Sequence, residues 1–86
     1  MNRADRLEAN AKIEEIDTQY HARLEEIGRN EYEQVMALRK ERHPKEVRGH
    51  LLHAIREDAD RERQEAHKEW MNDVKPWARQ IVGANI

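Results

Sequence analysis

Apolar residues recur along this chain at steps of three and four. In the first half the row is Ala9, Ile13, Ile16, Tyr20, Leu24 and Ile27. Val35 and Leu38 continue the same frame, with Glu31 as its polar interruption. In the second half Leu52, Ile55, Ala59, Ala66, Trp70, Val74, Trp77 and Ile81 form a matching row, with Arg63 as the single polar interruption. Steps of this kind put the side chains on one face of an α-helix. The underlying repeat is eleven residues: Ile16, Ile27 and Leu38 are one row, and Ala59, Trp70 and Ile81 another. Eleven residues in three turns is close to the natural pitch of the helix, so each stripe stays on one face of a nearly straight rod.

Between the stripes lies the clearest break, His43-Pro44. Proline withholds a donor from the preceding turn, pushes His43 out of helical space, and suits the first turn of a new helix. Gly49 extends the expected bend to residues 43–49. Gly28-Arg29-Asn30 is a weaker break, because Gly28 is able to close a helix and Asn30 with Glu33 resembles a capping box. Two readings follow: a first helix continuous or merely kinked there, which the unbroken frame favours, or a split into three helices. Pro76 interrupts the last stripe and predicts a kink or an end, leaving residues 77–82 as a short final turn or two.

The expected architecture is all-α: one small helical domain spanning residues 1–86, folded as a long antiparallel hairpin. Pairing about Pro44 sets Ile27 near Ala59, Tyr20 near Ala66, Ile16 near Trp70 and Ala9 near Trp77. Large residues then face small ones, as an interdigitated seam requires. A lone two-helix hairpin buries little apolar area against its conformational entropy. Tyr32, Met36, Leu51 and Met71 flank the main stripe, so association into a two-fold dimer, a four-helix bundle, is expected.

Composition narrows the function more than it reveals it. Of 86 residues, 40% are charged and 37% hydrophobic, yet the net charge is only −2, which with the regular stripes favours ordered helix over a solvated coil. The longest apolar run is Val35-Met36-Ala37-Leu38, too short to cross a membrane, and the first residues carry no secretory stretch. A cytoplasmic location is therefore expected. The absence of cysteine rules out disulfides, thiol nucleophiles and Cys-ligated metals. There is no serine, Thr18 is the only threonine, and the three glycines are isolated, so neither a hydroxyl triad nor a phosphate loop is present. Carboxylate pairs such as Glu14-Glu15 and Glu25-Glu26 fall on the polar face rather than in a cleft. Glu46, His50, His53 and Glu57 have one-turn ligand spacing, but in a chain so rich in Glu the pattern arises readily by chance. No catalytic residue, metal site or cofactor is assigned, and no enzyme is expected.

Two features remain as candidates for function. Residues 39–56 hold six Arg or Lys against two Asp or Glu, whereas 1–38 hold five against nine and 57–86 five against seven. Folding at Pro44 gathers Arg39, Arg42, Lys45 and Arg48 at one tip and leaves acidic arms. At the other end Trp70, Trp77 and Ile81 form an apolar group, with Val82 and Ile86 beyond it, of the kind that anchors interfaces. The leading expectation is a non-enzymatic interaction module, an adaptor, inhibitor or assembly factor, that binds a protein partner through a helical surface. The alternatives are a nucleic-acid-associated protein using the basic tip, which the acidic arms disfavour, and a self-assembling scaffold.

Overall fold

A computed structural model describes residues 3–83, and it consists of two helices. Helix α1 runs Arg3–Lys40 and α2 runs Lys45–Gly83, packed against each other as an all-α helical hairpin. The connection is the four residues 41–44, tighter than the expected bend at 43–49. Pro44 ends it, and its carbonyl accepts the amide of Arg48 at 2.9 Å, the first hydrogen bond of α2. Glu41 N–H donates to the Leu38 carbonyl at 3.2 Å and closes α1. His43 Nε2 lies 2.7 Å from Glu41 Oε2 across the turn. Arg39 and Lys40 in the last turn of α1, and Glu46 in the first of α2, oppose the helix dipoles favourably.

Helix α1 is unbroken at Gly28, so the three-helix alternative does not occur. The seam explains why. Ile27 packs with Ala59, and Glu31 bonds to Arg63, so α1 is held to α2 on both sides of the glycine. No residue described has a positive φ, so Gly28 and Gly49 are simply helical. Of the kink or end expected at Pro76, the end does not occur: α2 continues through it to Gly83. Pro76 is exposed, so water can solvate the Asn72 carbonyl that loses its donor. Val74, Trp77 and Ile81 on either side stay half-buried on the seam.

The buried residues described are Ala9, Ile27, Leu38, Ala59 and Ala66, all members of the two stripes. Ile27, Ala59 and Ala66 form one cluster with Tyr20 against it, which reproduces the large-against-small pairing expected from the bend. The rod measures 63 × 17 × 11 Å, close to the length of a 38-residue helix, about 57 Å at 1.5 Å per residue.

Candidate interaction surface

Four polar links tie the helices together along the seam. The two interruptions of the stripes meet each other: Arg63 Nη2 donates to Glu31 Oε1 at 2.7 Å, and Arg63 Nη1 to Asp60 Oδ1 at 3.0 Å. The hydrogen bond that Arg63 donates to Glu31 is the chief cause that raises the Arg63 pKa above its ordinary value. Trp70 Nε1 donates to Asp17 Oδ1 at 2.6 Å, and Arg23 pairs with Glu69. Tyr20 Oη stands 3.4 Å from His67 Nδ1.

Around this last contact lies an aromatic group. The Tyr20 ring is 5.5 Å from Trp70 and 6.1 Å from His67, and His67 stacks on Trp70 at 5.6 Å. His21 also lies against Tyr20, at 5.8 Å. Nothing in the spacing identifies this group as a unit. Only the hairpin register, which brings position 20 level with 66 to 70, assembles it.

The sequence-derived candidates separate into two sets at opposite parts of the rod. Arg39, Arg42, Lys45 and Arg48 are all exposed around the turn. Trp70, Trp77 and Ile81 are half-buried on the seam, where they serve the hairpin's own packing. From Lys45 to Ile81 the helix advances about 54 Å, so the two sets are not one site. Ile86 lies outside the described residues. His53 Nε2 is engaged by Glu57 Oε1 at 2.9 Å, and no group of three or more potential metal ligands gathers among the described residues. The Thr18 hydroxyl donates to the Glu14 carbonyl at 2.9 Å. Nor is any described helix long and apolar enough to cross a membrane.

What remains exposed and apolar are Leu7, Tyr32, Val47, Leu51, Met71 and Val82. Tyr32 and Met71 immediately follow seam residues, Glu31 and Trp70, and so share one flank of the stripes. Met71 and Val82 are eleven residues apart, in one row of α2. Fold and surface together define a helical hairpin with a thin core and apolar flanks. No family model matches the chain, and neither a curated protein nor a solved structure matches it.

Proposed function

We propose that this protein is a non-enzymatic helical interaction module that binds a protein partner through the flanks of its hairpin. One observation carries the reading: among the described residues, six large apolar side chains are left exposed against five side chains that are buried, and Tyr32, Leu51, Met71 and Val82 among the exposed ones lie on the flanks of the seam. Apolar residues on a rigid helical rod suit contact with another protein, since anchors of this type supply most of the affinity at interfaces. A photo-crosslinking residue introduced in turn at Tyr32, Leu51 and Gln34, followed by irradiation in native extract, tests it. Covalent adducts with a single protein species are expected. Turnover of a small molecule with no protein adduct from any of these positions overturns it.

A second reading, a two-fold dimer, is supported by Tyr32, Met71 and Val82 falling on one flank, 48% to 65% exposed. Two copies laid flank to flank would form a four-helix bundle. Sedimentation equilibrium on the parent and on Met71→Lys distinguishes them: a dimer that becomes monomeric in the variant is expected. The nucleic-acid alternative rests on the basic tip alone, and a gel shift across a salt series tests it.

A further inference from the structure

Three clefts open along one side of the hairpin, and the eleven-residue repeat makes the first two copies of one another. On α1, Ile16, Gln19 and Arg23 line the first cleft, and Ile27, Asn30 and Gln34, three turns on, line the second. On α2, Glu69 and Asp73 line the first, and Asp58 and Glu62, three turns back, line the second. The third, nearest the turn, is the widest at about 340 Å³, against about 140 Å³ for the first, and Leu38, Leu51 and Ile55 contribute to it. All three lie on the flank formed by residues that precede the seam: Asn30 before Glu31, Asp58 before Ala59, Glu69 before Trp70. They make one shallow groove, pinched nearly shut at the second cleft (about 10 Å³), on the side away from Tyr32 and Met71.

Its chemistry is one-sided. The α2 wall carries Asp58, Glu62, Glu69 and Asp73, and Glu41 stands at the wide end. The α1 wall offers the amides of Gln19, Asn30 and Gln34. The cation among these lining residues, Arg23, is matched by Glu69. Asp58 touches Arg61, and Glu41 touches His43, but these carboxylates are exposed and can exchange partners at little cost. The floor is the apolar seam.

We infer that this groove is the docking site for a single amphipathic helix of basic character, supplied by a partner protein. The inference rests on the interaction-module reading and names the partner's chemistry. A helix laid along the groove repeats its face every three turns, as the clefts do, so one partner residue type every eleven positions meets equivalent surroundings. Its apolar residues seat at the wide end over Leu51 and Ile55, and its Lys or Arg residues face Asp58, Glu62, Glu69 and Asp73. The apolar contacts supply affinity, while the charges fix register and speed encounter. A second copy of this chain suits the groove poorly, because its arms are themselves acidic, and nucleic acid is repelled by the same carboxylates.

The test uses the full chain and three synthetic helical peptides of about 33 residues, three repeats each. The first has an apolar stripe flanked by lysine. The second has the same residues shuffled so that the stripe is lost, and the third has glutamate for lysine. Tryptophan fluorescence reads binding, since Trp70 lines the first cleft. The first peptide is expected to bind at least tenfold more tightly than the second, and the third not at all. Glu62→Lys with Asp73→Lys should weaken the first peptide about tenfold or more at unchanged helicity, and Met71→Lys should leave it unaffected. Equal binding of the first two peptides, or sensitivity only to Met71→Lys, overturns the inference. So does self-association abolished by the Glu62 and Asp73 reversals, which would assign the groove to a second copy. In native extract, crosslinks from Tyr32 but none from Gln34 would sink the groove and leave the interaction-module reading intact. No protein crosslink from any position would sink both.

Discussion

At the scale of single residues, the pair Glu31 and Arg63 is the most consequential contact on the seam. Each was visible in the sequence only as a gap in an apolar stripe. Their mutual bond was not, because it depends on an Arg arm reaching across a register that the stripes fix only approximately. The pair is partly shielded, with side chains 23% and 35% exposed. Removing one partner therefore leaves the other poorly solvated. Arg63→Met alone is expected to cost about 1–2 kcal/mol. The double variant Glu31→Leu, Arg63→Met should return to parent stability or exceed it by about 1 kcal/mol, since an apolar pair can replace an ion pair on a seam. A urea-melt cycle over the four proteins measures the coupling, and additive losses would show that the two side chains act independently. The guanidinium's pKa rises on folding, so the fold gains from its charge at every pH below the ordinary arginine range. That gain is lost only in strong alkali. Elsewhere Lys12 meets Glu15 and Arg61 meets Asp58, although Glu8 and Glu57 stand at i,i+4 from them. Exposed pairs one turn apart differ too little in energy for spacing to choose between them.

The elements themselves were largely legible, because both stripes keep one frame over their whole length and every buried residue described belongs to them. Local preference misleads at Gly49 and Pro76, whereas the unbroken frame reads Gly28 correctly as part of one helix. Gly49 belongs to α2 because Pro44 starts that helix earlier than the glycine suggested. Pro76 stays helical because packing on each side outweighs one lost hydrogen bond. These positions consequently hold unused stability. A Cβ added at Gly28 or Gly49 meets nothing within 4 Å. Alanine at either position should raise stability by about 0.5–1 kcal/mol. Pro76→Ala should add on the order of 1–3 kcal/mol by restoring the donor to the Asn72 carbonyl. Thermal melts followed by circular dichroism check all three. A midpoint lowered at any of the three would count against this account of that position.

For the whole molecule, shape follows from having one seam. The radius of gyration is 19.4 Å, against about 12 Å for a compact chain of this length. Each helix depends on the other for its buried face, so damage to the seam is not confined. Ile16→Asp puts an unpaired charge beside Trp70 and should abolish most of the helical signal. Glu15→Ala, one residue away on the polar face, should shift stability by less than about 0.5 kcal/mol. The reverse order in melts would remove the stripe as the core. The candidate surface was less legible than the fold. The basic tip could be read from charge counts. The groove could not, because its walls come from polar residues whose kinship appears only when α2 is laid antiparallel to α1 and the eleven-residue rows run in opposite directions.

The four-residue connection also dictates how the molecule assembles itself in time. Residues facing each other near the turn, such as Leu38 and Ile55, are close in sequence, while Ala9 and Ile81 are most of the chain apart. Loop closure disfavours the distant contacts until the near ones exist. Folding should then start at the turn and run outward like a zip. Substitutions of Leu38 or Ile55 by smaller residues are expected to slow folding, whereas Ile81→Val should act mainly by speeding unfolding. Stopped-flow chevrons separate the two limbs. A molecule built this way opens from its free ends first, and the turn is the last part to be lost.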